Sequence, residues 1–135
     1  MNERILLVDD DRDHLEMLEA CCSSLGYKTV SANSGKSAIE ISKKEPFGLV
    51  ISDIQMPDID GIGVLHFIKK HTPDTDVILM TGFNYKHTFT DIIKQGATDY
   101  FEKPFTKDTI EAKVTRVFKE REEIRCRRQT EESLK

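Results

Sequence analysis

The sequence predicts an α/β domain built as a doubly wound, five-stranded parallel sheet with helices on both faces. Three observations lead to it. Five short apolar runs alternate with stretches of helical spacing. Several of the runs are apolar throughout, as strands buried on both faces of a helix-covered parallel sheet are. Right-handed crossovers between such strands then restrict the topology to a doubly wound one.

"RILLV" (4–8) reads as the first strand. "HLEMLEACCSSLGY" follows, with Leu15, Leu18, Cys22 and Leu25 at helical spacing and Gly26 as its stop. "KTVSA" (28–32) is the second strand, and "SGKSAIEISKKEP" a helix opened by Ser34 and closed before Pro46. "FGLVIS" (47–52) is the third strand, and "GIGVLHFIKKH" (61–71) a helix with Leu65 and Ile68 inward. "DVILMT" (76–81) is the fourth strand, "DIIKQG" ends a helix at Gly96, and "ATDYF" (97–101) is the fifth strand. A last helix starts near Thr106, with Ile110, Val114, Val117 and Phe118 on its inner face.

A chain of 135 residues is about one domain, large enough to bury a core without metal or disulfide staples. No apolar run approaches the roughly 20 residues of a membrane-spanning helix, and the amino terminus lacks the apolar region of about 7 to 15 residues of a secretory signal. The cytoplasm is the expected compartment. Cys21, Cys22 and Cys126 are odd in number and have no metal-ligand spacing, so they read as reduced bystanders. Residues 1–105 carry net charge −6 and residues 106–135 carry +2, an acidic body followed by a mixed tail.

Functional groups in such sheets gather at the carboxyl ends of the strands. There the first strand delivers Asp9, Asp10 and Asp11, the third Ser52 and Asp53, the fourth Thr81 and Gly82, and the fifth Lys103 and Pro104. Three consecutive carboxylates repel one another, so they read either as a solvated loop or helix amino-terminal turn or, with the other strand ends beside them, as a nest for a cation. A few carboxylate oxygens completed by water suit Mg²⁺ better than softer metals. Asp53 is placed to act as a nucleophile toward a phosphoryl group, with Lys103 as a movable point charge and Thr81 as a hydrogen-bond donor to a phosphate oxygen. Asp11 and Asp13 read as acids complementing a helix amino terminus. His14, His66, His71 and His87 read as surface or edge residues, and "GIGVLHF" lacks the full glycine-rich dinucleotide fingerprint.

"ILLVDDD", "LVISDIQMPDIDG", "VILMTG" and "ATDYFEKPF", in this order and at these separations, resemble the receiver domains of two-component response regulators over roughly residues 3 to 120. The resemblance implies a flavodoxin-like fold with strand order 2-1-3-4-5. It implies that Asp53 is the phosphoacceptor, that Asp9 and Asp10 are the acidic pair for Mg²⁺, and that Gln55 supplies a backbone carbonyl to the same ion. Thr81 and Tyr100 take the places of the switch hydroxyl and switch aromatic, Lys103 that of the charge contact, and the Lys103–Pro104 bond is expected to be cis. A sensor histidine kinase or a phosphotransfer protein donates the phosphoryl group. Thr81 then shifts, Tyr100 turns inward, and the face made by the fourth helix, fifth strand and fifth helix changes shape. Gln55 and Phe83 stand where the family governs water access to the phosphoryl group, and a bulky Phe83 predicts slow self-dephosphorylation.

The expected division is a receiver domain over 1–120 and a charged helical extension over 121–135. The extension reads either as a linker to an output or kinase module or as a solvated end; its Val117, Arg121, Ile124, Arg128 and Glu131 form a frail coiled-coil seam that allows a homodimer. No DNA-reading motif and no membrane-inserting segment is visible. The leading function is a phosphoacceptor switch without turnover of an external substrate. An alternative is a Mg²⁺-dependent phosphatase working through an aspartyl phosphate, though Gln55 stands where an Asp-x-Asp pair needs its second acid. A degenerate receiver used only for docking is a third possibility, set against the intact acid, threonine and lysine set.

Overall fold

The structure, a computed structural model, describes residues 4–82 and 89–133. Five strands alternate with five helices: β1 (Arg4–Val8), α1 (Arg12–Ser24), β2 (Lys28–Ala32), α2 (Gly35–Lys44), β3 (Leu49–Asp53), α3 (Gly61–His71), β4 (Asp76–Thr81), α4 (Phe89–Lys94), β5 (Asp99–Glu102) and α5 (Lys107–Ser133). All strand pairs are parallel and the order is β2-β1-β3-β4-β5, so the predicted doubly wound sheet is the fold observed.

The period-two geometry of a strand explains why its runs are apolar throughout. Ile5 and Leu7 of β1, Leu49 and Ile51 of β3, and Ile78 and Met80 of β4 point to one face, where α1 and α5 cover them. Leu6 and Val8, Val50, and Val77 and Leu79 point to the other, under α2, α3 and α4. Leu18 of α1 and Ile110 and Val114 of α5 are fully buried on the first side. Val64, Leu65 and Ile92 are their counterparts on the second.

Local signals set most element ends. Asp11 caps α1 through its Oδ1, which accepts from the amides of Asp13 and His14, so that helix begins two residues before the stretch chosen from its apolar spacing. Ser34 Oγ caps α2 at Ser37 N, and Asp60 Oδ1 caps α3 at Gly63 N. β3 begins later than its sequence pattern and includes Asp53, whose backbone pairs with Met80 of β4. β5 also begins later, because Gly96 takes a positive φ of 111° and Ala97 N still donates to Ile92 O of α4.

Helix α5 runs 27 residues, about 40 Å at 1.5 Å per residue. Phe118 still packs on Tyr27, with stacked rings 4.3 Å apart. Arg121 ties the helix to the start of β4 by donating to Asp74 O at 2.6 Å and Asp76 Oδ2 at 3.0 Å. That tie lies one residue into the stretch the sequence assigns to the extension. Ile124, beyond it, is 49% exposed.

This division of labour along α5 has a measurable consequence. Ile110→Ala is expected to cost about 2–5 kcal/mol, because it opens a cavity in a closed core. Ile124→Ala is expected to stay within about 0.5 kcal/mol in the monomer. Urea denaturation of both variants checks the contrast; a comparable loss from Ile124→Ala means that the distal helix is packed.

Candidate functional site

Because the five strands run the same way, their carboxyl ends open on one rim. Asp9 follows β1, Asp53 and Thr81 end β3 and β4, and Lys103 follows β5. The backbone fixes these tips to one another: Asp9 N donates to Ala32 O, Ile54 N to Met80 O, and Lys103 N to Thr81 O. The Lys103–Pro104 peptide bond is cis.

Asp9 is fully buried, Asp53 is 5% exposed and Thr81 2%. The ammonium of Lys103 lies between the two acids, 3.0 Å from Asp9 Oδ2 and 3.0 Å from Asp53 Oδ2. The remaining carboxylate oxygens have lighter duties. Asp9 Oδ1 accepts from Asp11 N at 2.9 Å, and Asp53 Oδ1 accepts from Gln55 N at a long 3.3 Å. Burial pushes the Asp53 carboxyl above its usual range, with Asp9 adding repulsion and Lys103 only partly offsetting both. Burial alone pulls the Lys103 ammonium down, but its hydrogen bonds to Asp53 and Asp9 outweigh this and hold it above the ordinary lysine value.

Asp10 is exposed at the mouth, and one oxygen each from Asp9, Asp10 and Asp53 lie within 4.8 Å of one another. One ammonium leaves this set of three acids net negative. Each ionised carboxylate has about four lone-pair positions, so hydrogen bonding to Lys103 does not exhaust them. A hard divalent cation with partial water coordination fits this donor chemistry, whereas no thiolate or imidazole cage of the kind that selects a softer metal is present among the described residues.

The loop after β3 is shaped by backbone chemistry that no charge pattern reveals. Asp58 takes a positive φ of 63°, a conformation that aspartate tolerates better than most residues. Gly61 packs so closely on the end of β3 that a Cβ there would collide with the Asp53 carbonyl oxygen. A side chain at 61 would displace the very segment that carries Asp53; the signal in the sequence is a glycine directly after the capping Asp60.

Among the described residues, the hydrogen bond of Thr81 Oγ1 is a long one, 3.5 Å to Phe101 O. Tyr100 is half-buried on β5, stacked on Phe89 of α4 at 4.1 Å and 11°, with Lys113 of α5 5.7 Å from its ring centre. The sequence-chosen residues Asp9, Asp10, Asp53, Thr81 and Lys103 thus converge on one rim, with Gln55 beside them through its amide. Tyr100 sits on the neighbouring α4-β5-α5 face. His14, read from the sequence as a surface or edge residue, instead reaches the site, its Nδ1 3.1 Å from Lys103 Nζ. His66 and His71 are exposed on α3. Phe83 and His87 lie outside the described residues.

Comparison with known proteins fixes the class to which this rim belongs. Residues 5–115 match the family model of the response regulator receiver domain, and the chain belongs to that family. It is 39% identical over 111 residues to the transcriptional regulatory protein ZraR of Escherichia coli strain K12, an alignment covering 82% of this chain and 25% of ZraR. The chain therefore spans about a quarter of the length of that relative. A response regulator receiver domain protein from Clostridium thermocellum superposes with a TM-score of 0.83 at 26% identity, covering 90% of this chain and 98% of that one. NtrX from Brucella abortus superposes with a TM-score of 0.84 at 29% identity, covering 98% of this chain and 29% of NtrX. The protein is thus a receiver domain of a two-component system, with the flavodoxin-like topology that its strand order displays.

The charge imbalance at Asp53 yields a test with a defined sign. An acid whose folded pKa lies above its unfolded value binds its proton more tightly when folded, so its ionisation weakens the fold as pH rises through that window. Asp53→Asn is expected to raise the unfolding midpoint at neutral pH without divalent ions. The gain should shrink toward zero at acid pH, where both states of the parent are protonated. Thermal melts of parent and variant across pH decide it; equal midpoints at pH 7 contradict the imbalance.

Proposed function

We propose that this receiver domain accepts a phosphoryl group on Asp53 and answers with a rearrangement of its α4-β5-α5 face. The observation that carries the reading is the single ammonium of Lys103 shared by two buried carboxylates, with a third acid at the mouth. This is a site with excess negative charge and a nucleophile at its floor.

In the proposed reaction a carboxylate oxygen of Asp53 attacks phosphorus of a phosphohistidine presented by a sensor histidine kinase or a phosphotransfer protein. The Asp53 oxygen–phosphorus bond forms as the phosphorus–nitrogen bond breaks, and that electron pair returns to the donor imidazole. No general base is required, because the nucleophile is already a carboxylate. Mg²⁺ is the proposed cofactor, held by Asp9, Asp10 and Asp53 with the Gln55 carbonyl; when bound it neutralises charge that builds on the transferred oxygens. Lys103 keeps its place beside Asp9 and turns one N–H toward a phosphoryl oxygen. Thr81, whose hydroxyl makes a long 3.5 Å bond to Phe101 O in the resting site, donates it to another.

Thr81 and Tyr100 are the proposed switch pair. They lie on adjacent strands, Thr81 at the end of β4 and Tyr100 on β5 opposite Leu79. A shift of the Thr81 side chain frees space that Tyr100 can enter by leaving its stack on Phe89. The α4-β5-α5 face then presents a different surface to an output module or to a second copy of the chain.

ZraR and NtrX are several times longer than the region that matches them, which supports assigning this chain as the receiver portion of a regulator. The proposed division places the compact receiver over 1–120 and a helical extension from 121, leading toward an output or kinase module. The exposed Ile124 suits a segment whose packing partner is supplied by another domain or another copy. The proposed compartment is the cytoplasm; no described helix is long and apolar enough to cross a membrane.

Incubation with acetyl phosphate and Mg²⁺ followed by intact mass measurement tests the reading. The parent should gain one acid-stable, base-labile phosphoryl group, and chelation of the metal or the Asp53→Ala substitution should abolish the gain. An adduct that survives in Asp53→Ala overturns the site assignment. Continuous phosphate release from small phosphorylated metabolites would point instead to the phosphatase alternative.

A further inference from the structure

We infer that His14 is a positioning residue for Lys103, accepting a hydrogen bond from its ammonium at Nδ1. The geometry stands without any assumption about phosphoryl chemistry; the consequence for uptake rests on the reading of Asp53 as acceptor.

A lysine ammonium has three N–H groups and no lone pair. Lys103 finds three acceptors: Asp9 Oδ2 at 3.0 Å, Asp53 Oδ2 at 3.0 Å and His14 Nδ1 at 3.1 Å. An ammonium only donates, so Nδ1 must offer its lone pair and the ring proton must sit on Nε2. The other arrangement has an Nδ1–H donating to Asp9 Oδ2 at 3.3 Å or Asp11 Oδ2 at 3.6 Å. It sets two donors against each other across 3.1 Å and leaves one ammonium N–H without a partner.

The ring is held where this contact needs it. His14 lies in the first turn of α1, with its side chain 37% exposed and its ring 5.8 Å from that of Phe105. Phe105 lies two residues after Lys103 and packs edge-on against Phe101 of β5 at 5.3 Å. α1 and the segment after β5 thus meet at His14, through a tilted ring contact with Phe105 and through the ring nitrogen with Lys103.

Of the three acceptors, the two carboxylates have competing uses. Both face the acidic cluster, and Asp53 changes its charge and shape when it takes a phosphoryl group. His14 Nδ1 is the one acceptor of the three that is not a carboxylate, and it keeps the ammonium aimed into the site while the contact to Asp53 is redistributed. A lysine on a flexible four-carbon stem needs such an anchor, because it binds as a point charge without a preferred direction.

The test uses the full ¹⁵N-labelled chain without divalent ions, then the same samples with acetyl phosphate and Mg²⁺. Long-range ¹H–¹⁵N correlation should show the His14 ring protonated at Nε2, and the Lys103 ammonium should give a slowly exchanging cross peak. His14→Phe keeps a ring against Phe105 but removes the acceptor; His14→Asn places an amide oxygen near the position of Nδ1 but removes the ring. The ammonium peak should vanish in His14→Phe and persist in His14→Asn. Phosphoryl uptake should fall about tenfold in His14→Phe, the scale of one hydrogen bond, and largely recover in His14→Asn. An Nδ1–H tautomer overturns the inference, and so does His14→Phe with the parent's ammonium signal and uptake. Failure of the parent itself to take up phosphoryl refutes the acceptor reading, and the ammonium and tautomer signals still decide the role of His14.

Discussion

The ammonium of Lys103, lodged between the carboxylates of Asp9 and Asp53, is the contact on which the rim depends. Each acid is buried, and an unpaired buried carboxylate costs several kcal/mol of lost hydration. A single lysine relieves both, but with Asp10 also in reach it cannot balance the charge. The residue is a pocket that folds and yet stays electrostatically unsatisfied. Only a parallel sheet gives this result so economically, since four strand ends that point the same way bring groups from positions 9, 53, 81 and 103 to one place. In an antiparallel sheet alternate strands would carry their tips to opposite edges.

This dependence of chemistry on strand direction explains what could be read from the residues alone. The bounds of β1, β2, β4 and α3 agree with the sequence reading to the residue; β1, β4 and α3 are bracketed by acids, glycine or threonine that interrupt the apolar pattern, and β2 lies between Gly26-Tyr27 and Asn33-Ser34. β3 was harder at its carboxyl end. Asp53 breaks the apolar run, so periodicity stops at Ser52, but the ladder continues through Asp53 to Met80. A buried carboxylate inside a strand violates the local pattern because the tertiary structure needs its backbone there.

Contacts between distant segments were the part that spacing could not disclose. His14 and Lys103 are 89 positions apart, and nothing in "DRDHLEM" distinguishes a histidine that reaches a lysine from one that faces water. The aromatic pair Phe89 and Tyr100 is similar, joining α4 to β5 by ring stacking. Gly61 was visible as a residue but silent as to role: a missing side chain matters only when its would-be neighbour, here the Asp53 carbonyl, is known. Asp11 and Asp60, by contrast, act within three residues of themselves as helix caps, and short range is what makes such roles legible.

The same geometry sets the energy scale of the proposed switch. In the resting arrangement Tyr100 is held by its stack on Phe89, worth about 0.5–1.5 kcal/mol, and by the ammonium of Lys113 over its ring, worth about 0.5–1 kcal/mol at a partly exposed site. Against these stands the hydroxyl of Thr81, whose 3.5 Å contact with Phe101 O contributes little. A hydrogen bond from that hydroxyl to a charged phosphoryl oxygen is worth about 1.5–3 kcal/mol. The new interaction and the contacts to be broken are of like size, which is the condition for a two-state element that one covalent event can tip. A larger aromatic cluster around Tyr100 would lock the face, and a bare one would leave it without a resting state.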